Sequence, residues 1–232
     1  MPLILRVDVD RPYGRAPLFR HVLSRLASDL YFPRIECFGY LRELGIILEM
    51  LKQRHAKAYV FFRRCTLPSG PILRLIEEGG HKIGLHLEDS RSFETFAAEK
   101  RMLEAHTGRP VRALSKHGSG GARYGLHHYA PYEPEWYVEW ARRTGMTLFL
   151  GNLEDPSLGP VIDAAGFASY PSAFWLEPAW RDTSVFTIDW LLSEARSRDV
   201  VLLIHPENVL AVPALIGELQ RLLASLDTRI LQ

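Results

Sequence analysis

The sequence predicts an α/β fold built on a parallel sheet, open or closed into a barrel. Strand-like and helix-like patterns alternate from end to end, and parallel strands need a crossover, usually helical, between them. The run Val200-Val201-Leu202-Leu203-Ile204 is wholly apolar, as expected of a strand covered on both faces. No repeat, low-complexity tract or linker interrupts the 232 residues. At roughly 150 residues per domain the length alone allows one domain or two, and the unbroken alternation favours a single domain, 1–232.

The elements follow in order. Leu3 to Val7 is a β-favouring run ending at Asp8, and Leu41, Leu44, Leu48 and Leu51 recur at helical spacing, predicting a helix near 37–54. Lys57 to Phe62 reads as a second strand, rich in aromatic and branched residues. Pro71 suits the first turn of a helix opened by Ser69-Gly70, which Gly79-Gly80 closes. A strand over His81–His86 precedes a helix over Ser92–His106 that stops at Gly108, and Val111–Leu114 is a fourth strand. Pro134 starts a helix whose Trp136, Tyr137, Trp140 and Ala141 share one face turned to the core, and Thr147–Leu150 is a strand. The Gly-, Pro- and Trp-rich stretch 151–186 yields only short strands, with one placed at Ala173–Leu176. A helix capped by Thr187, the apolar strand 200–204 and a last helix striped by Leu215, Ile216, Leu219, Leu222 and Leu223 complete the chain.

Lys and Arg number 28 against 27 Asp and Glu, a formal charge of +1. Nothing in this balance attracts a polyphosphate, so no nucleic-acid partner is expected. The two cysteines, Cys37 and Cys65, are far apart, which excludes a disulfide scaffold and a thiolate zinc site. No apolar run approaches the roughly 18 residues of a spanning helix, and the first residues are too polar for a secretory leader. A cytoplasmic protein is expected, with no membrane span; the oligomeric state is not legible.

Ligands of parallel α/β folds collect at the carboxyl ends of the strands. The first strand ends in Asp8-Val9-Asp10 and the third in His86-Leu87-Glu88-Asp89. The fourth ends in Ser115-Lys116-His117-Gly118 and the last in His205-Pro206-Glu207-Asn208. A single Asp at a strand end usually caps a turn, whereas four strands presenting Asp or His at one edge supply the oxygen and imidazole donors of a divalent metal. His81 begins its strand and so lies at the opposite end. The glycines at 118, 120 and 121 lack the spacing of a phosphate loop. The aromatics between Tyr124 and Trp140, with Phe174, Trp175 and Trp180, are either sugar-stacking platforms or core anchors.

Val7-Asp8-Val9-Asp10, the stretch from Ile47 to Phe62, Glu78-Gly79-Gly80-His81-Lys82-Ile83-Gly84-Leu85-His86, Gly108 to Gly118 and Leu202-Leu203-Ile204-His205, in that order, resemble the polysaccharide deacetylases (the NodB-homology domain, carbohydrate esterase family four), as a divergent member. The resemblance implies a single distorted (β/α)7-type barrel with a mostly parallel sheet, and metal-dependent hydrolysis of an N-acetyl or N-formyl group on an amino sugar. It implies Asp8 as catalytic base, His205 as general acid, and Asp10 and His86 as metal ligands. The metal is Zn²⁺ first, with Mn, Co or Ni as alternatives, and the partner is a carbohydrate substrate, in cytoplasmic glycan or O-antigen biosynthesis (lipopolysaccharide biosynthesis).

Two departures stand out. The family's second metal histidine falls at Ser90, and its Arg-x-Pro-x-Gly phrase appears as Ser115-Lys116-His117-Gly118. His117, projecting from a neighbouring strand end, is the favoured third ligand, with Glu88 or His128 as alternatives. Glu88, Lys116, His128, Tyr132 and Asn208 are the candidate substrate contacts. The competing reading, motivated by Ser90, is a catalytically silent barrel that binds carbohydrate or a biosynthetic partner.

Overall fold

The computed structural model describes residues 3–10, 18–30 and 40–231. Strand β1 (Ile4–Val9) precedes helices α1 (Leu18–Leu30) and α2 (Tyr40–Gln53), then β2 (Ala58–Phe62), α3 (Gly70–Glu78), β3 (Lys82–Leu87), α4 (Phe93–Thr107) and β4 (Ala113–Lys116). The second half runs α5 (Pro134–Arg143), β5 (Leu148–Leu153), β6 (Val161–Ile162), β7 (Ala168–Ser172), β8 (Phe174–Trp175) and α6 (Ile188–Glu194). It ends with β9 (Val201–Ile204), α7 (Pro206–Ala211) and α8 (Pro213–Ser225). Among the described residues nine strands form one sheet in the order β6-β7-β5-β4-β3-β2-β1-β9-β8, in which only the β6–β7 pair is antiparallel.

The sheet curls into a half-barrel, and Arg6 shows how far. Its guanidinium, on β1, donates to the Leu150 and Gly151 carbonyls of β5, both at 2.8 Å. In a flat sheet those strands would stand about 19 Å apart, four spacings of about 4.8 Å, beyond any side chain. Alternation along each strand therefore separates two cores. Leu5, Val7, Leu85, Leu114, Leu202 and Ile204 face outward under the helices. Ile4, Phe61, Ala113, Leu148, Leu150, Trp175 and Leu203 fill the concave side. Gly84 gives way to the Phe61 ring, since a Cβ there would lie 2.3 Å from it.

Local signals explain the helix ends. Ser92 Oγ accepts the Thr95 N–H at 3.3 Å, and Gly108 closes α4 at φ 66°, the left-handed conformation that glycine tolerates. Thr187 Oγ1 caps α6 through the Trp190 N–H at 3.0 Å.

The sequence reading is corrected in several places. The fourth strand lies at 113–116, later than expected, because its polar end belongs to the site. The 151–186 stretch holds short strands as expected, of which β6 and β7 had no assigned place, while helices α1 and α7 were not expected. Trp136 is 58% exposed, while Tyr137, Val138 and Ala141 turn inward. Its aromatic mass suggested burial, but its register places it on the outer side. Cys37 and the predicted start of the helix near 37 lie outside the described residues. Among the described residues no helix is long and apolar enough to cross a membrane.

Candidate metal centre

The same alternation carries polar side chains into the concave face at the carboxyl ends of the strands. On β1, Ile4, Arg6 and Asp8 share one side, and Asp10 continues it. Gly84 and His86 do so on β3, Ala113, Ser115 and then His117 on β4, and Val201, Leu203 and then His205 on β9. Asp10, His86 and His117 meet there, all buried. Asp10 Oδ1 is 3.2 Å from His117 Nδ1 and 3.5 Å from His86 Nε2, and the two imidazole nitrogens are 3.3 Å apart.

This triangle fits a divalent metal. Donors about 2.0–2.1 Å from one tetrahedral ion stand about 3.4 Å from each other, close to the separations found. Asp10 Oδ1 is buried without a geometrically adequate hydrogen bond, an expensive state for a carboxylate unless something else satisfies it. His86 Nδ1 is 2.7 Å from Ser115 Oγ; with Nδ1 donating, Nε2 keeps its lone pair for the site, the outer-shell arrangement that orients metal-binding imidazoles. Burial opposes ionisation of Asp10, yet His117 and His86 beside it hold its carboxyl well below the usual range. Burial, with Arg63 nearby, pushes His117 well below the ordinary imidazole value. An ionised carboxylate and a neutral imidazole such as His117 are forms that donate to a metal.

Two further groups flank the triangle. Asp8 Oδ2 is 3.6 Å from His86 Nε2, and His205 Nε2 is 3.6 Å from Asp10 Oδ2. Each has its own support. Arg6 Nε donates to Asp8 Oδ1 at 2.9 Å and Nη2 to Asp8 Oδ2 at 2.6 Å. Glu177 Oε1 accepts from His205 Nδ1 at 2.8 Å, from the His205 backbone N–H at 3.2 Å and from Asn208 Nδ2 at 3.2 Å. Burial works against a charged His205, but Glu177 outweighs it and raises the imidazole to about 9.

A cavity of ≈ 300 Å³ opens over these groups. It is lined by Asp8, Asp10, His86, His117 and His205 and walled by Tyr124, Trp175 and Trp180, with Asn152 and Asn208 among its polar groups. Buried within its lining, Asn152 Oδ1 and Trp175 Nε1 have no hydrogen-bond partner.

Of the other sequence candidates, Lys116 and Asn208 belong to the cavity lining, and Glu88, His128 and Tyr132 do not. Glu88 is fully buried and ion-paired to Arg63, whose Nη1 is 3.5 Å from Asp10 Oδ1; Glu88 thus offsets the cation nearest the triangle. His128 lies behind His117. Its Nδ1 accepts the Tyr124 N–H at 3.0 Å and its Nε2 donates to the His117 carbonyl at 2.8 Å, so neither nitrogen is left for a ligand. Tyr132 presents its hydroxyl to the Asn152 N–H at 3.0 Å and, like Glu88 and His128, is not part of the cavity lining. Lys116 reaches the lining but spends its ammonium on the His117 and Tyr129 carbonyls at 2.8 and 2.9 Å. Burial lowers it to about 8. Asn208 lies in the lining, and Ser90 is buried outside the triangle.

Arg6 and Glu177 were missed by the sequence reading. An arginine inside an otherwise apolar strand, two residues before Asp8, is a same-face signal in a strand of period two. Glu177 follows a short strand in the one stretch whose elements had not been placed.

No protein-family model matches the chain, and no curated protein matches it. The similar solved structures are polysaccharide deacetylases of the CE4 family, pseudoenzymes among them. A CE4 family pseudoenzyme from Bacillus anthracis is 15% identical with a TM-score of 0.48, over 98% of this chain and 62% of the other; the chain therefore spans less than two thirds of that protein. A polysaccharide deacetylase from Bacillus cereus is 14% identical over 99% and 92% of the two chains, with a TM-score of 0.45. A family 4 acetyl xylan esterase from Clostridium thermocellum, in complex with a cobalt ion, is 13% identical over 94% and 83%, with a TM-score of 0.40. At these identities no residue role is carried across.

Proposed function

We propose that this chain, as one domain, is a metal-dependent deacylase that removes an N-acetyl or N-formyl group from an amino sugar of a cytoplasmic glycan precursor. The observation that carries the reading is the triangle of Asp10, His86 and His117 with Asp8 on one side and His205 on the other. Asp10 Oδ1, His86 Nε2 and His117 Nδ1 would hold the ion, Zn²⁺ in the first instance. When bound, such an ion lowers the pKa of water to about 7 and polarises a carbonyl oxygen.

The chain's own residues supply the rest. Asp8, held at both oxygens by Arg6, takes the proton of the attacking water as its oxygen adds to the acyl carbon. The carbon–nitrogen bond then breaks, and His205 Nε2 delivers a proton to the departing amine, leaving a free amino sugar and acetate or formate. Glu177 keeps the His205 ring turned toward the cavity and favours the imidazolium that can donate. Trp175, Trp180 and Tyr124 in the cavity lining suit a sugar ring. The silent-barrel reading rested on Ser90; with His117 beside Asp10, a three-donor set needs nothing from position 90.

The test is metal analysis of the purified chain together with acetate and formate release from N-acyl amino sugars, alone and as nucleotide derivatives. Binding of one ion and release abolished by Asp10→Ala support the reading. Failure to bind Zn²⁺, Mn²⁺ or Co²⁺, with no release, overturns it.

A further inference from the structure

Helix α1 turns its apolar side outward. Leu18, Phe19, Val22, Leu26 and Leu30 recur at a spacing that puts them on one side of the helix, yet they are 47–80% exposed. A helix that packs on its own protein buries that stripe. The helix is nonetheless tied to the loop that carries the cavity residue Tyr124. In its last turn Asp29 Oδ1 accepts the Leu126 N–H at 2.7 Å, and the Asp29 carbonyl accepts from His127 Nε2 at 2.9 Å. Leu126, also exposed, adds to the apolar surface, and Tyr124, two residues earlier, lines the cavity.

Size and charge identify what this surface meets. A helix of thirteen residues is about 20 Å long and about 10 Å wide. Its footprint is about 200 Å², far below the roughly 800 Å² per partner of a stable protein interface. A bilayer sets no such threshold, because an amphipathic helix lies in its surface with one side sunk among the acyl chains. The local charge also suits a membrane. Residues 11–30 hold Arg11, Arg15, Arg20 and Arg25 against a single acid, Asp29, in a chain whose total charge is only +1. Basic residues beside an apolar stripe of this kind meet headgroup phosphates.

We propose that α1 and Leu126 dock on an anionic phospholipid surface and hold the cavity mouth against the headgroups. The geometry would let the site act on a substrate carried at the membrane, but docking itself requires no turnover and stands apart from the deacylase reading.

Co-sedimentation of the full chain with vesicles tests it. The chain is expected to pellet with vesicles of equal parts phosphatidylglycerol and phosphatidylethanolamine, and about tenfold less with phosphatidylcholine alone. Phe19→Glu with Val22→Glu, both at exposed positions, should cut partitioning by tenfold or more, an order-of-magnitude expectation, while thermal midpoint and Zn²⁺ affinity stay unchanged. Arg20→Gln with Arg25→Gln should remove the anionic preference and its salt sensitivity. No pelleting with anionic vesicles overturns the proposal, as does equal pelleting by the wild type and the double Glu variant. A dimer in sedimentation equilibrium that the double Glu variant dissolves overturns it too, because a second copy then covers the surface.

Discussion

Arg6 and Asp8, two residues apart on β1, form a buried bidentate pair, with contacts of 2.9 and 2.6 Å. The remaining guanidinium nitrogen spans the half-barrel to the carbonyls of Leu150 and Gly151. The pair thus fixes the carboxylate beside the metal triangle and braces β1 against β5. Arg6→Lys keeps the charge but not the planar fork. It should lower kcat by about 10–100-fold, the scale of a small misplacement of a reacting group, with metal stoichiometry intact. Arg6→Met leaves Asp8 unpaired in the interior and should cost about 3–5 kcal/mol. Kinetics and urea unfolding read the two effects; a kcat unchanged in Arg6→Lys would remove the positioning role.

The proposed metal site makes a prediction that separates position 117 from position 90. His117→Ala removes one of three donors and should weaken Zn²⁺ binding in calorimetry by at least about 100-fold. Ser115→Ala removes only the hydroxyl 2.7 Å from His86 Nδ1 and should cost about 10–100-fold. Ser90→Ala should leave affinity unchanged, since Ser90 stands outside the triangle. A loss in Ser90→Ala as large as in His117→Ala would place the ion elsewhere.

The extent to which sequence foretold this site follows from periodicity. β1, β3, β4 and β9 are strands with apolar outward faces, so the polar residue ending each one is conspicuous, and Asp8, Asp10, His86, His117 and His205 were all legible there. Whether they would converge was not legible, because convergence depends on the curl of the sheet, and the curl is seen only in cross-barrel contacts such as Arg6 to Leu150. Glu177 was hidden for another reason. Its neighbours 161–175 form strands of two to five residues, too short to show alternation, with Pro171 interrupting the pattern. Glu88 and His128 look like ligands in sequence, yet Arg63 and backbone groups claim them in the fold. The signal for helix α1 was present in the sequence, Leu18, Val22, Leu26 and Leu30 recurring at helical spacing, and the sequence reading passed over it.

Glu177 binds the His205 ring and the Asn208 amide through one carboxylate oxygen. Glu177→Gln preserves the shape and removes the charge that supports an imidazolium. It should lower kcat by on the order of 100-fold, as for loss of positioned acid–base catalysis, with KM and Zn²⁺ affinity nearly unchanged, because neither the triangle nor the aromatic walls are touched. A rise in KM with kcat preserved would instead make Glu177 part of substrate binding.

Far from the site, His81 predicts how the fold responds to acid. Its Nδ1 accepts the Ala58 N–H at 3.1 Å, linking the starts of β2 and β3, and it packs so closely on Gly79 that a Cβ there would lie 2.2 Å from Nε2. Nδ1 therefore carries no proton in the fold, and burial lowers the imidazole from 6.5 to about 4. The unfolded chain binds that proton more readily, so the stability His81 contributes is complete above about pH 6.5 and is lost as pH falls toward about 4. At about 1.4 kcal/mol per pKa unit, the loss is on the order of 3 kcal/mol. Urea unfolding of the wild type and of His81→Gln across this range isolates the effect, since carboxylates elsewhere titrate equally in both. The difference in stability between them should shrink as the solution is acidified. A difference that stays constant would mean that His81 is protonated as easily in the fold as out of it.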